Sequence, residues 1–171
     1  MKEEYTLTVY AEDQMGTINK IAIMFLRKKI NLKSLNISSC EIDMMYRFTI
    51  VVNETSEIVK NLKFQIEKII EVFKCYCSTN QEIISSQTAM YKVSTDMIMN
   101  EANIDHLMRQ YNARFLIIEK DYAVFEATGQ ENEIDNLTKS LNKFGLIEVI
   151  KTSRIALIKS CEGFAVELLN M

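Results

Sequence analysis

The chain opens on a strict alternation of side-chain types. Tyr5, Leu7, Val9 and Ala11 take one side of a segment whose other side carries Thr6, Thr8 and Tyr10, the period-two signature of a half-buried β-strand. After a loop at 12–16, Ile18, Ile21, Ala22, Phe25 and Leu26 recur at offsets of zero, three, four, seven and eight, while Asn19, Lys20, Arg27 and Lys28 fall elsewhere. This spacing predicts an amphipathic helix with one buried stripe. Segments 32–39 and 46–52 read as two further strands, joined by the polar turn Cys40-Glu41-Ile42-Asp43-Met44. Ile58, Leu62, Ile66 and Ile69 mark a second helix, and 72–77 a fourth strand.

The same order returns after a polar stretch at 78–81. A strand at 89–93 precedes a helix carrying Ile104, Leu107, Met108 and Tyr111, and strands at 113–118 and 122–127 follow across a short polar turn. Ile134, Leu137 and Leu141 mark another helix, and 147–150 a last strand. Ile58 and Ile134 are 76 residues apart, and Val72 and Ile147 are 75 apart, which identifies a tandem repeat. Each half has the order β-α-β-β-α-β, so the expected fold class is α+β: two ferredoxin-like domains, at 1–80 and 81–171. The chain has no proline, and all four glycines, Gly16, Gly129, Gly145 and Gly163, lie outside the predicted element interiors.

Composition narrows the function classes. Of 171 residues, 48% are hydrophobic and 25% charged, as in an ordinary packed protein. Twenty Lys and Arg against 23 Asp and Glu give a formal net charge of −3, without a basic tail or stripe, which disfavours binding to nucleic acid. No apolar run reaches the length of a membrane span and the first residues do not resemble a signal peptide, so a cytoplasmic protein without membrane contact is expected. Cys40, Cys75, Cys77 and Cys161 form no C-x-x-C pair and have no nearby histidine; four reduced thiols and no metal site are expected. His106 stands alone, Ser38 and Ser39 have no base placed near them, and Met24, Met45, Met90 and Met108 scatter over several elements as gap-filling residues. An RNA-recognition domain shares the element order, but the third strand here reads YRFTIVV, with Arg47 and no glycine. No converging pair of titratable groups suggests an enzyme.

One loop carries candidate chemistry. Glu12-Asp13-Gln14-Met15-Gly16-Thr17-Ile18 joins the first strand to the first helix. The first-turn amides of a helix lack internal partners and sit at the positive end of its dipole, where they can hold a small carboxylate. Asp13 is a potential acceptor for an ammonium group, and Asn31, at the start of the next strand, a potential side-chain amide. The set suits a free amino acid. A glycine between strand and helix also serves simple turn chemistry, and the residues alone leave both readings open.

The stretch from Leu7 to Ile37, LTVYAEDQMGTINKIAIMFLRKKINLKSLNI, resembles the opening of acetolactate synthase small subunits, which show L-S-V, then E-N-x-x-G-A-L/I, a helix ending in R/Q-R-G, and Y-N-I-E-S-L. The stretch from Gly145 to Ser160, GLIEVIKTSRIALIKS, is similar to that family's I-x-E-V-x-R-T-G-x-V-A-L-x-R-G ending. The resemblance implies a non-catalytic regulatory subunit whose first domain is an amino-acid-binding ACT domain. It implies a homodimer through those domains, with sheets joined edge to edge, and a branched-chain amino acid, usually valine, held at the interface for feedback regulation of branched-chain amino-acid biosynthesis. The partner it implies is the large catalytic subunit, which carries thiamine diphosphate, magnesium and FAD; this chain needs no cofactor. Carried over by position, the ligand-binding residues are Asp13, Gly16, Thr17, Ile18 and Asn31. The family's asparagine is Asp13 here, its small residue before the glycine is Met15, and its glycine after the first helix is Lys29. A free-standing ACT-type sensor without an enzyme partner is the alternative.

Overall fold

The computed structural model describes residues 1–100, 104–160 and 162–169. The chain divides into two compact units, 1–84 with 154–171, and 85–153. In the first, β1 (Glu3–Glu12), α1 (Thr17–Lys28), β2 (Leu32–Ser39), β3 (Met45–Glu54), α2 (Ser56–Ile66) and β4 (Val72–Thr79) follow in the expected order. The strands form an antiparallel sheet ordered β2-β3-β1-β4, with β1 hydrogen-bonded to β3 along its whole length and to β4 on its other edge.

Leu7, Val9 and Ala11 of β1 join Phe48, Ile50 and Val52 of β3, Ile21 and Phe25 of α1, and Val59, Leu62 and Ile66 of α2 in one core. The expected half-buried first strand is instead buried on both faces, for Thr6, Thr8 and Tyr10 are as inaccessible as their neighbours. The last part of the chain supplies part of that cover. Phe164, at the start of the terminal helix, stacks on Tyr10 with ring centroids 4.1 Å apart, and the Arg154 guanidinium donates to Thr6 Oγ1 at 3.3 Å.

The second unit repeats the order. β5 (Ile83–Ser94) enters it, followed by α3 (Thr95–Asn100), α4 (Ile104–Gln110), β6 (Arg114–Ile118), β7 (Tyr122–Gly129), α5 (Glu131–Asn142) and β8 (Leu146–Lys151), with the path β6-β7-β5-β8. Tyr91 stacks on Phe125 at 5.2 Å and its hydroxyl donates to the Ile134 carbonyl at 3.1 Å, which satisfies the one polar atom of a buried aromatic. The α5 N-terminus is closed by a reciprocal capping box between Gln130 and Glu133.

Three elements escaped the hydrophobic pattern: α3 of the second unit, β9 (Ile155–Ile158) and α6 (Phe164–Leu169). Arg154 and the described residues beyond it group with the first unit, so the units differ from a division at 1–80 and 81–171. The Arg154 guanidinium also donates to Glu4 at 2.7 Å and to Asn80 at 3.1 Å, and the Tyr76 hydroxyl donates to Glu167. Arg47 lies over the Tyr10 ring and donates to the Ala156 carbonyl. Partial burial pushes the Glu4 carboxyl up, but hydrogen bonds from Lys33, Arg154 and Asn80 and the Arg154 charge outweigh it and hold the group at about 2.

Two outcomes are expected. Phe164→Ala removes a fully buried ring and should cost about 3 kcal/mol in urea unfolding, whereas Ile70→Ala, at an exposed position, should cost about 0.5 kcal/mol or less. The folded-state pKa of Glu4 lies below its ordinary 4.5, so its contribution is complete above pH 4.5 and fades as the pH falls toward 2. Screening at this partly exposed site limits it to the order of 1 kcal/mol. Glu4→Gln should therefore be less stable than the native chain at pH 6 by that amount and equal to it near pH 2.

Candidate functional site

The loop after β1 is held by main-chain bonds. The Asp13 N–H donates to the Met44 carbonyl, and the Gln14 N–H to that of Glu12, each at 2.8 Å, which anchors the loop to the β2–β3 hairpin. Gly16 then sits at φ 93°, a left-handed conformation that a side chain would strain. A Cβ there would meet nothing within 4 Å, so backbone conformation and not lack of space selects the glycine.

α1 starts at Thr17 with no side-chain cap on its amides. The Gly16 carbonyl accepts from the Lys20 N–H at 3.1 Å and turns the chain into the helix. Thr17 is only 3% exposed, and among the described residues its Oγ1 has no hydrogen-bond partner. Leaving a buried hydroxyl unsatisfied costs about 1–3 kcal/mol. An uncapped helix start, a buried hydroxyl and the nearby exposed Asp13 carboxylate form a set that can bind a carboxylate and an ammonium group together. Ile18, 47% exposed, offers apolar surface beside them.

Asn31 is not part of that cluster. It lies beyond the other end of α1, whose 12 residues span about 18 Å. There it lines an open depression of about 410 Å³ with Lys2, Lys29, Lys33, Asn53 and Glu54. The ladder gives the same separation. The β2 start pairs Leu32 with Val52, which faces Tyr5 of β1, while its end pairs Ser39 with Tyr46, which faces Ala11 at the Gly16 end. Within one copy, then, Asp13, Gly16, Thr17 and Ile18 gather at one end of α1 and Asn31 at the other.

The predicted buried stripe of α1 is half right. Ile21 and Phe25 are buried, but Ile18, Ala22 and Leu26 are exposed, Leu26 by 76%. These residues continue into the partly exposed Leu32 and Leu35 of β2, an edge strand of the sheet. Lys29, which sequence reasoning marked only as a departure from the family, is left-handed at φ 55° and shares the depression with Asn31. Its place directly after Arg27 and Lys28 was the available signal.

The remaining candidates resolve simply. Burial pushes the Cys75 thiol well up, helped by Glu67 and Cys77, and pushes Cys77 up as well. Neither supplies a thiolate near neutral pH. Cys40 is also a free thiol, and Cys161 lies outside the described residues. No group of three metal-ligating side chains occurs among the described residues, and His106 is exposed on α4. Ser38 and Ser39 are strand residues of β2. The sheet face that an RNA-recognition domain uses for stacking bases is occupied at Tyr10 by Phe164. No helix among the described residues is long and apolar enough to cross a membrane.

Comparison with known proteins gives a consistent result. Residues 7–74 match the family model of the AHAS small subunit-like ACT domain, and residues 86–160 match that of the small subunit of acetolactate synthase. The Bacillus subtilis acetolactate synthase small subunit is 28% identical over 163 residues, covering 95% of this chain and 93% of that protein. The Mycobacterium leprae small subunit is 29% identical over 161 residues, with coverages of 93% and 94%. The crystal structure of the acetolactate synthase small subunit from Thermotoga maritima superposes with a TM-score of 0.83 at 19% identity, covering 93% of this chain and 99% of that one, and shares the fold. With the two family models matching successive halves of a repeated ferredoxin-like fold, at 7–74 and 86–160, the chain belongs to the acetolactate synthase small-subunit family.

Proposed function

We propose that the chain is a non-catalytic regulatory subunit that binds a branched-chain amino acid, valine first among them, between two copies and modulates a separate acetolactate synthase catalytic subunit in the cytoplasm. The observation that carries this reading is the α1 start at Gly16 without a side-chain cap, with the buried Thr17 hydroxyl lacking a partner among the described residues. Thiamine diphosphate, magnesium and FAD belong to the catalytic subunit in this reading, and this chain holds no cofactor.

The separation of Asn31 from Gly16 supports a site shared between copies. A two-fold axis normal to the sheet, just outside the β2 edge and level with the middle of that strand, makes two β2 edges antiparallel and keeps both helix layers on one side. Such an axis sets the Leu32 end of one β2 against the Ser39 end of the other. Asn31 of a second copy then approaches Gly16 of the first. The same axis stacks the exposed Ile18, Ala22 and Leu26 of the two α1 helices, covering an apolar stripe and the β2 edge of the sheet together. Binding at such an interface shifts the balance between arrangements of the copies, the linkage through which an effector acts on a partner enzyme.

Calorimetric titration with valine, leucine and isoleucine tests the effector. At least one should bind the native chain, and Gly16→Asp, which puts a charged side chain at the loop, should reduce its affinity at least about tenfold. Binding unchanged by the variant would remove the site from Gly16. Adding the chain to a purified acetolactate synthase catalytic subunit should change that enzyme's activity; an amino-acid-binding chain that leaves it unaltered would favour the free-standing sensor.

A further inference from the structure

α1 carries opposite charge at its two ends. Glu12 and Asp13 precede its start, and Arg27, Lys28 and Lys29 close it. Within a copy the two ends are separated by the helix length, about 18 Å, and cannot neutralise each other directly. Asp13 and Lys29 are both exposed, and among the described residues neither side chain makes a hydrogen bond or ion pair. Both lie at ends of the same exposed stripe, bounded by Ile18 and Leu26 on α1 and by Leu32 and Leu35 on β2. A surface with an apolar middle and opposite charges at its ends is self-complementary under a two-fold axis and under no translation.

We infer that Asp13 of one copy pairs with Lys29 of the other, so that two equivalent ion pairs close the polar ends of the interface. The inference rests on the two-copy reading above and adds the residues that set its register. The axis that carries Asn31 to Gly16 carries Lys29, two residues earlier, to Asp13, three residues before the glycine. The left-handed backbone at φ 55° favours glycine, so the charged side chain at Lys29 is not there to suit its own backbone. The Asp13 carboxylate then serves two cations, the Lys29 ammonium and, when an amino acid is bound, the ligand's own.

Sedimentation equilibrium on the full chain without effector tests this, using Asp13→Lys, Lys29→Asp and the doubly reversed chain. Each single reversal replaces two attractions by two repulsions and should weaken the dimer about tenfold at low salt, and the double reversal should restore it to within about threefold of native. The neutral set Asp13→Asn, Lys29→Gln and their combination gives a second cycle, in which the paired loss should be smaller than the product of the single losses. A native dimer whose double reversal is as weak as either single overturns the ion pair and leaves the two-copy reading standing. A native chain that stays monomeric at about 100 μM, well above the range where stable dimers form, overturns both.

Discussion

The first unit depends on β1 being covered on both faces. A strand that is hydrogen-bonded on both edges and flanked by apolar residues on one face can leave its other face in water, as most antiparallel sheets do. Here that second face carries Thr6, Thr8 and Tyr10, all buried. Threonine hydroxyls and a tyrosine ring tolerate either environment, so their burial depends on what the rest of the chain brings to them. Part of what arrives is Arg154 at one end and Phe164 at the other, each meeting chemistry that suits it: a carboxylate, an amide and a hydroxyl for the guanidinium, and an aromatic face for the ring. The terminal residues are therefore structural members of the first unit, although more than 60 residues of the second unit intervene in sequence.

That arrangement explains which features were legible in the sequence. The tandem repeat, the order of most strands and helices, and most core positions, with Ile18, Ala22, Leu26 and Ile58 the exposed exceptions, followed from periodicity, because local alternation and helical spacing report directly on which face meets a core. β9 and α6 are four and six residues long, too short for a period to register, and what holds them is contact with residues more than 70 positions away. Composition likewise distinguishes apolar from polar but does not state what covers an apolar residue. Leu26 and Ile21 contribute alike to a helical stripe, yet Ile21 packs on the sheet and Leu26 faces outward.

The candidate site divides along the same line. Gly16 was recognisable because a left-handed residue before a helix is a local requirement, and Thr17 and Ile18 follow from it by position. The unpartnered Thr17 hydroxyl was not, since satisfaction of a buried polar atom is a tertiary property. Asn31 belongs with Gly16 by resemblance but lies at the far end of α1, and no reading of one copy joins them. In the proposed shared site, motif spacing would encode membership without encoding which copy supplies each member.

Lys29 shows the same logic at a single backbone position. The helix ends with the Lys29 N–H donating to the Leu26 carbonyl at 3.0 Å and the Ile30 N–H to that of Phe25 at 3.0 Å, a left-handed termination that glycine adopts most readily. A side chain in that conformation costs about 1–2 kcal/mol. The buried Ile30 just beyond fixes the chain's exit, so the conformation cannot relax without disturbing the core. Within the copy the Lys29 side chain gains no ion pair among the described residues to offset that strain. In the proposed two-copy arrangement, the opposite charge brought toward this exposed lysine is the carboxylate before the glycine at the other end of the same helix.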